Sequence, residues 1–391
     1  FTGLSVGVGV VTAKAVGSGN IGRLNQIIHC AAGLTCVLSL VFTVLGLIMA
    51  PEFLRWIQTP ADVLENATAY LRLYLLSLIS IVSYNMGSGI LRALGNTKSP
   101  TLYQLAGGIA NIIGNTLFIC FLDWGVQGAA LATACSQGLA AFLIIRHLCT
   151  IKTPYRLRLR QLQINASICG QFLLVGIPAA IQSIVITLSN LIVQAHINQL
   201  GIDSMAAFTA YFKVENFIYL PIMAFGQACS TFTSQNIGAN QVDRAKQGVK
   251  TSLFLGITVT ISASVLTLCF SDFAFGLFSK EPAVIALGTK IAFVAYPFYF
   301  IYVFLEVYAS AIRGAGKALP AMLIVVINMC VVRTCILKVV LHFYPNALGV
   351  AAIYPLTWAC TGLCLFLYYK SGGWFSAQTD VARKRIPVGQ R

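Results

Sequence analysis

Two carboxylates lie within long apolar segments of this sequence, where an ionisable side chain is able to do chemistry. Glu215 falls inside the apolar stretch 206–237, and Glu306 lies near the middle of the stretch 288–312. A carboxylate at the centre of a membrane helix costs on the order of 3 kcal/mol, so it usually faces a cavity or a partner. We therefore expect Glu306 and Glu215 to bind a proton, Na⁺ or a cationic substrate.

An ion pair that only holds helices together is the alternative for both acids. The candidate cationic partners inside apolar stretches are Lys213 and either Arg333 or Lys338. Lys213 and Glu215 are two residues apart, so they point to different sides of one helix and should find partners on other helices. We expect Arg333 to be a charge partner first and a substrate contact second.

Neutral polar residues extend the set of candidate binding residues. Gln182, Asn190 and Gln194 are spaced by eight and four residues in one apolar stretch, so they share a helix face. That face can line a cavity, or its amides can form hydrogen bonds to neighbouring helices.

The elements that must position these residues are membrane-spanning helices. Apolar residues make up 58% of the 391 residues and charged residues 9%, against roughly 25% charged in a soluble domain. About ten stretches reach the ~18 residues that a spanning helix needs, and a shorter one stands at the start. The composition predicts an all-α membrane protein, because only helices and closed barrels span bilayers and a barrel would show alternation. The predicted spans are 1–17, 27–50, 67–91, 100–122, 125–149, 168–199, 206–237, 248–270, 288–312, 319–342 and 347–369.

The charged residues behind the net charge of +15 are divided unequally between the connections on the two sides of the membrane. Alternate connections carry most of the Lys and Arg, and the remaining connections carry most of the acids. This asymmetry places the C-terminus in the cytoplasm of a multi-pass protein of the inner or plasma membrane. The charge therefore indicates orientation, and no nucleic-acid partner is expected. The basic connections are 18–26, 92–99, 150–167, 238–247, 313–318 and the tail from Lys370.

The chain matches itself when it is shifted by 221 residues. Arg92 falls on Arg313, within the matching sequences LRALG and IRGAG, and Asn85 falls on Glu306. The predicted spans coincide as well, which indicates two six-helix lobes in a parallel repeat about an axis along the membrane normal. Residue 1 aligns with the middle of a span, so we expect the first helix to be lacking, with eleven of twelve present. The predicted domains are an N-terminal lobe at 1–149, a basic cytoplasmic linker at 150–167, a C-terminal lobe at 168–370 and a cytoplasmic tail at 371–391.

Six stretches, in order along the chain, resemble the multidrug and toxic-compound extrusion (MATE) family. They are GLSVGVGVVTAKAVGSGN, LRALGNTKSP, NIIGNTLFICFLDWGVQGAALAT, LLVGIPAAIQ, TSQNIGANQVDRA and AIRGAGKALPA. The resemblance implies an antiporter that exports organic cations, drugs or metabolites in exchange for Na⁺ or H⁺ by alternating access. It implies no cofactor beyond that coupling ion, and we expect the partners to be a cationic small molecule and the lipid bilayer, with the protein a monomer.

The same resemblance implies an ion site in the N-terminal lobe. Asn111 matches the family's asparagine and Thr133 its threonine, but Asn115 stands where one branch of the family has Asp. Another branch has an acid eight residues after a proline that corresponds to Pro178, and this chain has Ile186 there. Neither family ion site is therefore intact in this sequence.

Two other classes of protein were weighed against an antiporter. A lipid-linked oligosaccharide flippase of the same superfamily would use cationic cavity residues to hold a pyrophosphate, and Lys213 and Arg333 keep that alternative open. An intramembrane enzyme is disfavoured because the sequence has no HExxH motif, no paired Asp and no GxSxG nucleophile elbow. The letters GLSVG at residues 3–7 match GxSxG, but they lie within an apolar predicted span and not on a turn from a strand to a helix. The twelve cysteines show no metal-binding spacing, so we expect no metal centre.

Overall fold

The computed structural model describes residues 2–375, and every long element in that range is a helix. Most of the predicted tail 371–391 lies outside the described residues. We number the α-helices α1 to α15 in chain order: Thr2–Gly17, Ile21–Trp56, Ala61–Leu76, Leu78–Ala93, Lys98–Asn115, Gly125–Thr150, Ala166–Gln199, Ile202–Gly238, Val242–Cys269, Ser271–Gly276, Pro282–Ala295, Tyr299–Gly314, Ala318–Ile327, Arg333–Phe343 and Ala347–Lys370.

Several of these helices join into longer spans through short 3₁₀ or π-helical turns. Two π-helical turns occur: Thr116–Phe121 follows α5, and Asn328–Val332 joins α13 to α14. A 3₁₀ turn at Tyr296–Phe298 joins α11 to α12, and its Pro297 cannot supply an N–H to a regular α-helix. Nine helical spans in residues 2–375 are long and apolar enough to cross a membrane, and α1 is a shorter apolar helix.

The predicted all-helical membrane fold is confirmed, but the count of eleven spans stays a prediction. Helix α8 is not among the nine apolar spans. It is 37 residues long, but it carries Lys213, Glu215 and Asn216 within four positions. These polar groups lower its mean hydropathy where the sequence places candidate site residues.

The internal repeat is visible in the helix boundaries. Two of the membrane-length spans, Ala61–Ala93 and Pro282–Gly314, are offset by 221 residues at both ends. Each is interrupted near its middle, at Ser77 in the first and at Tyr296–Phe298 in the second. The shift found from the sequence therefore also relates the two broken helices.

Two compact units divide the chain, the first ending at Gly176 and the second beginning at Ile177. In the first unit, α1 packs on α4 and on the start of α7, where a Cβ added at Gly7 would lie 2.2 Å from the carbonyl oxygen of Phe172. Only glycine permits that approach. The predicted limits of the lobes and linker stay a prediction.

The second unit is built around α12. This helix packs against α8, α9 and α15 and buries most of its side chains. The core of the unit is rich in tyrosine, and it includes the fully buried side chains of Tyr211, Tyr296 and Tyr299. Buried phenols need hydrogen-bond partners, so these residues bring polar atoms into an apolar core.

Candidate functional site

Glu306 lies in a buried polar cluster on one face of α12. Its Oε1 accepts a hydrogen bond of 2.8 Å from the Ser310 hydroxyl and forms a 2.9 Å ion pair with Nη2 of Arg313. Residues 306, 310 and 313 are one and two turns apart, so a helix places them in line. The same Nη2 lies 2.7 Å from Ser310 Oγ, and Nη1 lies 3.4 Å from Oε1 of Gln182 on α7.

Helix α8 approaches this cluster at a glycine. A Cβ added at Gly226 would lie 2.7 Å from both Cγ and Oε1 of Glu306 and 3.1 Å from Ser310 Oγ. The absence of a side chain at Gly226 therefore provides the space that the carboxylate occupies.

The ion pair corrects two expectations from the sequence. Glu306 pairs with Arg313, and not with the expected partners Lys213 or Arg333. Arg313 was expected in a connecting loop, but it lies within α12 with only 13% of its side chain exposed. The physical reason is the helical repeat, because an arginine seven residues after the acid lies on the same face.

Glu215 lies in a second site in the same unit, among tyrosines. The Tyr299 hydroxyl donates to Oε1 of Glu215, and the hydroxyls of Tyr211 and Tyr299 lie 3.4 Å apart. The Tyr296 hydroxyl donates to the backbone oxygen of Tyr211 at 3.1 Å. Among the described residues, the ion pairs within 4 Å do not include Glu215.

Arg333 is buried close to this second site. Its Nη1 donates to Oδ1 of Asn190 at 2.9 Å and to Oγ of Ser189 at 3.3 Å. The guanidinium lies over the Tyr354 ring, 5.3 Å from its centroid, and its Nε is buried without a hydrogen-bond partner. Arg333 and Glu215 interact electrostatically without direct contact.

Lys213 lies apart from both carboxylates. It is exposed, and its Nζ lies 5.5 Å from the centroid of the Phe278 ring. Its predicted role as the partner of a buried acid is not what the structure shows, because its side chain leaves α8 on a different side from Glu215.

A neutral polar cluster in the first unit contains three of the predicted residues. Asn115 Nδ2 donates to Oδ1 of Asn111 at 3.0 Å, and Asn111 Nδ2 lies 3.4 Å from Thr133 Oγ1. Ser136 adds a fourth polar group, 3.5 Å from Asn111 Nδ2. Oδ1 of Asn115 is buried without a partner. Neither α5 nor α6 carries an acid, so this cluster offers neutral oxygens only.

Asn85 lies outside both polar sites in the described structure. Its side chain donates to the Ile81 backbone oxygen of its own helix at 2.9 Å. The repeat counterpart of Glu306 is therefore satisfied locally.

The sequence analysis did not predict that Ser310 and Arg313 contact Glu306, or that Tyr299 contacts Glu215. The first two could have been found from their spacing of four and seven residues from Glu306. Tyr299 could not, because its contact with Glu215 joins residues 84 positions apart on different helices.

The arrangement is that of a polytopic transporter with buried charge-bearing sites. The MatE family model matches residues 1–117 and 178–337. The chain belongs to the MatE family.

Related proteins agree with this assignment. The Probable multidrug resistance protein YoeA of Bacillus subtilis is 26% identical over 377 residues, covering 94% of this chain and 81% of the relative. The FAD transporter of Shewanella oneidensis is 25% identical, covering 84% of this chain and 73% of the relative. The crystal structure of MATE in the straight conformation has the same fold, with a TM-score of 0.89 at 20% identity over 97% of this chain and 85% of that one. None of these three proteins is named as an oligosaccharide flippase, and that alternative gains no support.

Proposed function

We propose that this protein is a secondary antiporter that exports an organic cation, drug or metabolite in exchange for Na⁺ or H⁺. The observation that carries the proposal is the pair of carboxylates in the second unit, the buried Glu306 and the half-buried Glu215. An antiporter needs groups that bind the coupling cation and release it in alternation, and a buried carboxylate does this because its charge is costly when no cation neutralises it.

The two carboxylates have different roles in this proposal. Glu306 is neutralised by Arg313, so a coupling cation must compete with the guanidinium for its oxygens. Glu215 has a phenol as its donor and no ion pair within 4 Å among the described residues, so it is the group on which a proton or Na⁺ meets least competition. We therefore assign cation binding first to Glu215 and a charge-exchange role to Glu306.

If the coupling ion binds at the asparagine cluster of the first unit, the chemistry of that cluster favours Na⁺ over H⁺. Amide and hydroxyl oxygens of Asn111, Asn115 and Thr133 can coordinate a metal cation, whereas none of them takes up a proton near neutral pH. Of these candidate residues, the carboxylates can bind H⁺ or Na⁺, whereas the asparagine cluster can bind only Na⁺.

The decisive experiment is transport of ethidium by the purified chain in liposomes under separately imposed Na⁺ and H⁺ gradients. We expect one gradient to drive transport and Glu215→Gln to abolish that coupled transport while the protein stays folded in the membrane. Asn216→Gln, on the exposed side of the same helix, is the matched control and should transport normally. Unchanged coupling in Glu215→Gln would overturn the assignment of the ion to this residue.

A second substrate class is favoured by one observation. Arg333 is a buried cation whose Nε has no partner, and it can bind an anionic group of a substrate. The relative in Shewanella oneidensis is an FAD transporter, so an anionic nucleotide belongs in the same assay. Transport of FAD, lost in Arg333→Gln, would identify this second class.

A further inference from the structure

The loop between α6 and α7 carries three exposed arginines at alternate positions, Arg156, Arg158 and Arg160. The sequence contains no Asp or Glu from residue 124 to residue 202, so nearby chain supplies no acid to neutralise them. None of the three arginines takes part in an ion pair within the part of the chain that the structure describes.

The first half of this loop is fixed to the ends of α6 and α2. The backbone N–H of Leu157 donates to the Leu148 carbonyl at 2.9 Å, and the Leu157 side chain is buried. The N–H of Arg158 donates to Nε2 of the buried His29 at 3.0 Å. The His29 Nδ1 is 2.8 Å from the Asn25 carbonyl, so the ring is the Nδ1–H tautomer, which donates at one nitrogen and accepts at the other.

The second half of the loop lies directly against α2. The N–H of Asn165 lies 3.4 Å from Sγ of Cys30, and a Cβ added at Gly33 would lie 2.8 Å from the Gln163 carbonyl oxygen. These contacts attach the loop to α2 and α6 at several points from Leu157 to Asn165, while the arginine side chains are exposed.

Large apolar side chains are exposed between the arginines. Leu159 is 61% exposed and Ile164 is 59% exposed, and neither has a protein surface to cover it. The loop joins the end of one apolar spanning helix, α6, to the start of another, α7, so it lies at the level of the lipid headgroups. At that level, leucine and isoleucine enter the acyl boundary while arginine binds phosphate.

We propose that residues 151–165 form a binding surface for anionic phospholipids in the leaflet where α6 ends. The three guanidinium groups bind the phosphodiester and headgroup oxygens, and Leu159 and Ile164 anchor the loop among the acyl chains. Arginine suits this role because its planar fork binds phosphate through two hydrogen bonds. Fixing the loop beforehand on His29 and Cys30 reduces the ordering cost of lipid binding.

The first test compares lipid affinities of the purified full chain by native mass spectrometry, with phosphatidylglycerol and phosphatidylcholine titrated separately. Each basic residue near an anionic surface contributes about fivefold in affinity, so the triple variant R156Q/R158Q/R160Q should lose on the order of 100-fold for phosphatidylglycerol. Affinity for phosphatidylcholine should change by less than about threefold.

Two variants control for net charge and for fold. R72Q/K280Q/K290Q removes the same charge from exposed positions elsewhere and should keep the preference for phosphatidylglycerol. R156K/R158K/R160K keeps the charge but loses the two-hydrogen-bond fork, so its affinity for phosphatidylglycerol should lie between those of the unmodified chain and the glutamine variant. Equal losses in the two glutamine variants, or no preference in the unmodified chain, would overturn the proposal.

A further arm separates a lipid from a soluble anion. Millimolar inorganic phosphate should not displace phosphatidylglycerol, because the acyl chains add contacts with Leu159 and Ile164. In nanodiscs, brominated lipids should quench the additional fluorescence of the L159W variant. Displacement by phosphate would identify a site for a soluble anion. Absence of quenching in the L159W variant would place residue 159 outside the lipid. Either result would overturn the assignment.

Discussion

Glu306 and Arg313 neutralise one another inside the second unit, so replacing either residue alone leaves a buried charge. Their side chains are 7% and 13% exposed, and Ser310 bridges them. Removing one partner of a buried ion pair costs about 3–5 kcal/mol, whereas replacing both partners is often close to neutral. The stability of the single and double variants therefore shows whether the two residues stabilise one another.

We predict that Arg313→Gln and Glu306→Gln each lower the unfolding temperature measured with a thiol-reactive dye, by the equivalent of about 3 kcal/mol. The double variant E306Q/R313Q should recover at least half of the loss, because it buries no charge. A double variant with the sum of the two single losses would show that the two residues act independently. Near-normal transport by the double variant would make the pair a structural ion pair within α12 and not an ion site.

Tyr299 connects the carboxylate of Glu215 with the tyrosine core. We predict that Tyr299→Phe keeps the fold, since it removes one hydroxyl, but lowers coupled transport severalfold because Glu215 loses its donor. Initial rates of ethidium transport under the driving gradient are the measurement. Tyr296→Phe is the matched control, since its hydroxyl donates to a backbone carbonyl and not to the acid. Equal effects of the two variants would assign the loss to packing.

At the scale of helices, Gly226 provides the close approach between α8 and the Glu306 carboxylate of α12. We predict that Gly226→Ala displaces the Glu306 carboxylate, because the new Cβ would lie 2.7 Å from its Oε1. Such overpacking costs about 1–3 kcal/mol and should lower both the unfolding temperature and transport. Gly108→Ala on exposed α5, where nothing lies within 4 Å, should change neither. Normal transport in Gly226→Ala would show that the carboxylate position is not critical.

The interrupted spans show which features of a helix the sequence predicts. The apolar stretch 288–312 predicts a helix, and the structure has one from Pro282 to Gly314. The 3₁₀ turn at Tyr296–Phe298 contains Pro297, and a proline within an apolar stretch favours a kink because it lacks the N–H of a regular helix. Apolar length and that proline indicate a spanning helix with a break, whereas the type of turn is seen only in the structure.

At the scale of the whole molecule, the charge of the transported substrate can be measured directly. We predict that ethidium and other planar cations compete with one another for transport, because carboxylates and tyrosine faces both attract cations. Competition in the liposome assay, with FAD as the anionic comparison, measures this directly. Competition by FAD and not by organic cations would reverse the expected charge of the substrate.

The sequence by itself determined the class of protein, its all-helical membrane fold, the 221-residue repeat and the two carboxylates that lie within apolar stretches. These follow from hydropathy and spacing, which are properties of the chain read in order. The tertiary structure alone decided the partners: Arg313 for Glu306, Tyr299 for Glu215, and Asn190 for Arg333. It also placed the arginines of the α6–α7 loop on an outward surface. Partners between helices depend on rotation and depth of packed helices, and a single sequence specifies neither until the side chains of the neighbouring helices are packed together.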